Sequence, residues 1–315
     1  MSGYLLEGEW RAGWYDTRKT GGEFLRPPTT FHDWVTADGS SGFAAEPGRY
    51  HLYVSLACPW AHRTLIFRRL KRLEDAISIS VVHPVIGEHG WTFGDAAGCV
   101  PDTVSRFQYL RQVYTAADSA YSGRVTVPVL WDRQRRTIVN NESSEIIRML
   151  NSAFDAFTPV KTDYYPGPLR ARIDEINAFV YGRVNNGVYR CGFAGSQAAY
   201  DKAFDALFAG LDELEARLES ARYLAGEEIT EADWRLFTTL VRFDAVYYVH
   251  FKCNLRRIAD YPALSRFLRE LCRVPGIAET VNMDHIKRHY YLSHRHLNPS
   301  GIVPKGPVPD FLPGG

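Results

Sequence analysis

Apolar and polar positions first fall into a regular pattern near residue 50. Tyr50, Leu52 and Val54 alternate with neighbours that predict a β-strand over 50–55. Ala61, Leu65, Ile66, Leu70 and Leu73 then recur at helical spacing and predict a helix over 61–73. Residues 77–82 are rich in β-branched side chains and read as a second strand. Two short strands flanking one helix predict a parallel βαβ unit. Over 83–123 the pattern breaks, with one helix predicted at 104–114; so long a connection inside a compact domain usually has a job. A strand over 124–130 contains Pro128, which removes a ladder donor and so belongs at an edge or a bend. The Val127–Pro128 step there is expected to be cis. A short strand at 137–139 and a helical run at 146–150 complete a β-α-β-loop-β-β-α order.

Residues 1–48 show no sustained period but carry Trp10, Trp14, Tyr15, Phe24, Phe31 and Trp34, so they read as an ordered, irregular arm. Residues 151–168, with Pro159, Pro166, Gly167 and Pro168, read as a linker. Beyond it the periodicity is helical, at 169–186, 198–221, 231–250, 261–273 and 282–292. Thr230 with Asp233 three places on forms a capping box at the start of the third of these. From Asn298 the chain is rich in Pro and Gly and is expected to lie extended. The expected division is an arm and mixed α/β domain over 1–150, a linker over 151–168, and an all-helical domain with its tail over 169–315.

Composition narrows the function classes. A net charge of +1 argues against a role that depends on nucleic acid or an anionic membrane surface. No apolar run approaches membrane-spanning length, and the first ten residues lack a signal pattern. The five cysteines, at 58, 99, 191, 253 and 272, are scattered and show no metal-ligand spacing, so no metal is expected and a reducing cytoplasm fits best.

The residue with the most pointed setting is Cys58. It follows the first strand and precedes Pro59, whose fixed φ and missing N–H suit a first helical turn. The thiol thereby faces the positive end of the helix dipole, which favours a thiolate. Strand, Cys, Pro and helix stand in the order of a thioredoxin-like redox site. Ala61 occupies the place of a second redox cysteine, so the site has one thiol. Trp91, in the long connection, is positioned either to lie over a ligand or to pin the loop. At a predicted helix N-terminus, either Ser143 or Ser144 caps the helix, or Glu142 and Ser143 grip the charged end of a ligand. The backbone at Val127 is suited to pair with an extended peptide.

These features together resemble a glutathione transferase: an α/β thioredoxin-like N-terminal domain followed by an all-α C-terminal domain. More narrowly, Cys58-Pro59-Trp60-Ala61-His62-Arg63, Asn140-Asn141-Glu142-Ser143 and the run from Asp284 to Tyr291 resemble the glutathionyl-hydroquinone reductases, the xi class. The resemblance implies Cys58 as nucleophile and glutathione as co-substrate. It implies a glutathione site made of Trp91, Arg124, Val125, Thr126, Val127, Glu142 and Ser143. It implies Tyr189 as the proton donor to an aromatic substrate, and Tyr247 and Tyr290 as tyrosines near the nucleophilic sulfur. Glutathione conjugates of hydroquinones are the implied substrates, and a homodimer the implied assembly. An omega-like thiol transferase or dehydroascorbate reductase, and a non-enzymatic interaction module on the same fold, are the competing readings.

Overall fold

The computed structural model describes residues 3–312. They fall into two compact units, one of 3–14, 28–162 and 282–303, the other of 15–27, 163–281 and 304–312. The units are therefore discontinuous, whereas the sequence predicts a single division around 151–168. Two segments account for the difference: 15–27 groups with the helical unit, and 282–303 with the mixed one.

The first unit opens on a hairpin. Strands β1 (Gly3–Leu6) and β2 (Glu9–Ala12) pair antiparallel around Glu7 and Gly8, both at positive φ (51° and 79°), as a tight two-residue turn demands. The arm thus contains regular structure that its aperiodic sequence does not predict. Two-residue strands β3 (Val35–Thr36) and β4 (Phe43–Ala44) pair parallel. Then comes the predicted βαβ unit: β5 (Tyr50–Val54), α1 (Pro59–Leu70) and β6 (Ser78–Val81), with β5 and β6 parallel. All five residues of β5 are buried, as in a strand covered on both faces. His51 is held there between the Ser78 and Ser80 hydroxyls at 2.7 and 2.9 Å, and burial pushes its pKa down to about 4.

Helix α2 (Leu110–Ala117) begins well after the predicted start at 104. The reason is Asp102, whose carboxylate accepts the N–H groups of Val104, Ser105 and Phe107 and so fixes a turn in place of the first helical residues. The predicted strand over 124–130 is likewise divided. Only β7 (Gly123–Arg124), paired with β1, and β8 (Val129–Asp132) join ladders. Between them the Val127–Pro128 peptide is cis, and the Thr126 backbone is satisfied by a side chain described below. Strand β9 (Thr137–Asn140) completes a four-stranded sheet in the order β6-β5-β8-β9, and α3 (Ser143–Ser152) follows it.

The second unit is helical: α4 (Arg170–Val180), α5 (Gly187–Gly192), α6 (Gln197–Ser220), α7 (Glu231–Arg242), the short α8 (Tyr248–His250) and α9 (Pro262–Cys272). The predicted helix over 169–186 and the one over 231–250 each change to a π-helical turn, at Tyr181–Asn185 and Phe243–Tyr247. Thr230 and Asp233 form the expected capping box: the Thr230 N–H and hydroxyl donate to the carboxylate at 2.7 and 3.0 Å. Helix α10 (Met283–Ser293), predicted at 282–292, packs within the first unit. No helix among the described residues is long and apolar enough to cross a membrane.

Candidate active site

Cys58 is the N-cap of α1, in extended conformation (φ −76°, ψ 124°), with Pro59 as the first helical residue. Its N–H donates to the Ser55 carbonyl at 3.2 Å, and its own carbonyl accepts from His62 at 2.9 Å. The chain therefore enters the helix with the cysteine side chain at the end where backbone N–H groups lack intrahelical acceptors. The sulfur is buried but not sealed, at 9% exposure, and its S–H donates to the Val127 carbonyl at 3.6 Å. That contact spans 69 positions of sequence and joins the nucleophile candidate to the Val127–Pro128 step.

A buried phenol holds that step in place. Tyr114 on α2 donates to the Thr126 carbonyl at 2.9 Å, receives the Thr126 N–H at 3.2 Å, and receives the Asn141 side-chain amide at 3.2 Å. Burial raises its pKa to about 12, so it stays a neutral donor and acceptor at physiological pH. The sequence does not single out Tyr114, and Asn141 stands there only as part of the Asn140–Ser143 run. Both work through contacts far apart in the chain, and no local pattern signals them.

Glu142 is the N-cap of α3. Its carboxylate accepts the Ser144 N–H at 2.9 Å and the Ser144 hydroxyl at 2.8 Å, and Thr29 of the arm donates to its other oxygen at 3.4 Å. Ser143 is the first residue of the helix, and its hydroxyl accepts from the buried Arg63 guanidinium at 3.3 Å. Capping and ligand binding are compatible here, since a carboxylate has about four acceptor positions. Arg124 reaches back to the arm: its guanidinium donates to the carbonyls of Gly3, Gly13 and Trp14 at 3.2, 2.9 and 3.2 Å. Val125 and Val127 are buried, with Thr126 between them fixed by Tyr114.

The arm also closes the edge of the sheet beside Glu142. The Phe31 N–H donates to the Asn141 side chain and the Asn141 N–H to the Phe31 carbonyl, while His32 forms a β-bridge with Asn140. His32 Nδ1 lies 3.0 Å from Glu145, and this hydrogen bond raises its pKa above 6.5. Because the folded-state value is raised, the stabilisation from this pair is full below about pH 6.5 and is lost as pH rises through the shifted value. The pair is partly exposed, so the contribution is small. The His32 ring is expected to titrate by NMR above 6.5, and Glu145→Gln should return it towards 6.5. An unchanged midpoint in that variant would remove Glu145 as the cause.

Trp91 is held in the first unit by the long connection. Its carbonyl accepts the Leu110 N–H, and neighbouring residues pair with His83 and Gln108. Its indole ring stacks on His289 of α10, with centroids 5.0 Å apart and planes at 15°. Tyr290, next along α10, is buried and meets the His289 and His294 rings edge-on.

Tyr189 and Tyr247 belong to the helical unit. Tyr247 ends the π-helical turn Phe243–Tyr247, and Tyr189 lies on α5, just after the π-helical turn Tyr181–Asn185. Such turns are rare and recur at functional positions. The two rings lie 6.1 Å apart, and Phe193 and Phe251 pack against Tyr189 at 5.8 and 5.5 Å. The Arg26 guanidinium lies 4.7 Å over the Tyr189 ring and donates to Asn186 at 3.0 Å. Nothing in the sequence marks Arg26 either, because its segment shows no period. Among the described residues, no group of three or more His, Cys, Asp or Glu side chains could hold a metal ion.

The family models for the glutathione S-transferase N-terminal and C-terminal domains match residues 57–153 and 197–270. The glutathionyl-hydroquinone reductase YqjG of Escherichia coli K12 is 56% identical over 316 residues, covering 98% of this chain and 96% of the relative. The glutathionyl-hydroquinone reductase PcpF of Sphingobium chlorophenolicum is 55% identical over 312 residues, covering 99% and 98%. The glutathione-bound structure of YqjG superposes with a TM-score of 0.91 at 53% identity over 98% of this chain and 97% of that one. A xi-class transferase from Natrialba magadii superposes at 0.93, with 49% identity over 98% and 94%. On this likeness across nearly its whole length, the chain belongs to the xi class of the glutathione transferases, the family of the glutathionyl-hydroquinone reductases.

Proposed function

We propose that the protein reduces glutathionyl-hydroquinones to hydroquinones, with glutathione as the reductant, through a mixed disulfide on Cys58. What supports this reading most is the single thiol at the head of α1, with Ala61 one turn on where a resolving cysteine would stand. A one-thiol site needs an external thiol to complete its cycle, and glutathione is that thiol.

The chemistry follows from the leaving group. A thiolate does not ordinarily cleave an aryl thioether, because an aryl carbanion is a poor leaving group. Protonation of the ring carbon that bears sulfur converts the ring to a keto tautomer. The Cys58 thiolate then attacks the sulfur, the carbon–sulfur bond breaks, and its electron pair re-forms the aromatic phenoxide. The ring carbon is thereby reduced and Cys58 is left in a disulfide with glutathione. A second glutathione thiolate attacks the glutathione sulfur of that disulfide, releases oxidised glutathione and restores the Cys58 thiolate. In this scheme Tyr189 delivers the proton to carbon, while the Tyr247 and Tyr290 phenols donate to the sulfur anion. Helix termini contribute about 0.3–2 kcal/mol to an anion, and each hydrogen bond to a charged acceptor roughly 1.5–3 kcal/mol, so phenol donors would exceed the helix in effect.

Glutathione is proposed to lie along Val127, with its γ-glutamyl end at Glu142 and Ser143 and with Trp91, Arg124, Val125 and Thr126 around it. The Glu142 carboxylate suits an ammonium, and the α3 N-terminus suits a carboxylate. A peptide N–H that claims the Val127 carbonyl takes the acceptor now used by the Cys58 S–H. Binding and ionisation of the thiol therefore favour one another. A homodimer and a cytoplasmic location complete the proposal; five cysteines scattered through the chain suit a reducing compartment.

The test is turnover of the purified protein with glutathionyl-hydroquinone and glutathione. One hydroquinone and one oxidised glutathione are expected for each conjugate consumed. Glutathione binding without consumption of any conjugate in a panel of them would leave an interaction module in place of an enzyme.

A further inference from the structure

Three side chains on one face of α10 hold the long connection on both sides of Trp91. His285 Nε2 donates to the Ala97 carbonyl at 2.6 Å, His289 Nδ1 donates to the Pro84 carbonyl at 2.8 Å, and the Ser293 hydroxyl accepts the Ile86 N–H at 2.9 Å. They recur at i, i+4 and i+8, which places them in one row along the helix. A carbonyl accepts only, so the acceptors fix which imidazole nitrogen carries the proton in each ring. From the other direction, Trp10 of β2 donates its indole N–H to the Glu88 carbonyl at 2.8 Å. Its ring lies so near Gly90 (φ 75°) that a Cβ there would approach to 2.7 Å. The segment 84–91 is thus bracketed by residues remote in sequence.

Of these contacts, His289 alone joins the backbone of the segment to the Trp91 ring. We propose that His289 is a positioning residue for glutathione recognition: its bond to Pro84 fixes the imidazole plane, and the stacked imidazole fixes the orientation of the Trp91 indole. A tryptophan that must turn to meet its ligand binds more weakly than one already in place. His289 would therefore act on the affinity for glutathione and leave the chemical step at Cys58 largely alone.

This inference rests on the reading of Trp91 as a glutathione contact, and the experiment separates the two. Glutathione affinity by calorimetry and the KM and kcat for glutathione are measured for Trp91→Ala, His289→Ala, His289→Phe and His289→Asn. An aromatic pair of this kind is worth up to about tenfold in affinity. His289→Ala is expected to raise Kd and KM by roughly that factor with kcat held within about twofold. His289→Phe keeps a ring over the indole and should recover most of the affinity, whereas His289→Asn keeps only the donor to Pro84 and should not. If Trp91→Ala weakens binding but His289→Ala does not, the positioning role is overturned and the contact survives. Should Trp91→Ala leave the affinity unchanged, the reading of Trp91 falls and the inference with it. If His289→Ala does not fold, His289→Phe and His289→Asn decide together: near-native Kd for the first with a loss of about tenfold for the second supports the role, and equal affinities in the two, each with native circular dichroism, overturn it.

Discussion

Cys58→Ala should lose glutathionyl-hydroquinone reduction by roughly 10³-fold or more, the range met when a nucleophile is removed. The loss should appear in kcat, because glutathione would still find Val127, Glu142 and Ser143. The other four cysteines offer no substitute. Burial pushes the Cys272 thiol up to about 12, and burial also raises Cys253 and Cys99. Such thiols stay protonated at neutral pH and react slowly. Cys191 is buried as well. Replacing Cys99, Cys191, Cys253 or Cys272 by alanine should leave most of the turnover. The rate of Cys58 alkylation against pH should report a midpoint below the free-thiol value of about 8.5. Near-normal turnover in Cys58→Ala would end the mixed-disulfide mechanism.

Tyr189→Phe should separate hydroquinone chemistry from general thiol transfer. Exchange at a disulfide needs no proton on carbon, because its leaving group is already a stable thiolate. Cleavage of the aryl thioether does need one. General acids commonly contribute about 10²–10⁴-fold, so reduction of the conjugate should fall by a factor in that range. Reduction of a small glutathione mixed disulfide should fall by no more than about threefold, since only a hydroxyl is removed and the ring packing is kept. Arg26 strengthens the assignment: a guanidinium 4.7 Å over the ring favours the phenolate left behind when the proton departs. The deciding quantity is the ratio of the two kcat/KM losses. Equal losses would make Tyr290 on α10 the next donor to examine.

Much of the catalytic half is legible in the sequence because its signals are local. The alternation through Tyr50 and Val54, the Cys58–Pro59 step and the helical spacing from Ala61 stand close together, and β5 and α1 form where they predict. The Thr230–Asp233 capping box is equally local. What the sequence hides depends on contacts between distant segments. Asp102 delays α2 by capping a turn, and Tyr114 takes up the Thr126 backbone in place of a strand partner. Helix α10 follows from its own period, but its packing in the first unit depends on His285, His289 and Ser293 reaching backbone groups 188, 205 and 207 positions away. The arm hairpin rests on a two-residue turn, and its ties to Arg124 cross 121 and 111 positions. Periodicity carries no record of such pairs.

The claim on which the account turns is that Cys58 takes glutathione from the substrate before a second glutathione arrives. A single-turnover experiment addresses it: protein and one equivalent of glutathionyl-hydroquinone, with no free glutathione, quenched in acid and read by intact mass and peptide mapping. The account predicts one equivalent of free hydroquinone and one glutathione bound in disulfide linkage to the peptide that carries Cys58, released when glutathione is added. Hydroquinone formed with no adduct, or an adduct on any other cysteine, would contradict it.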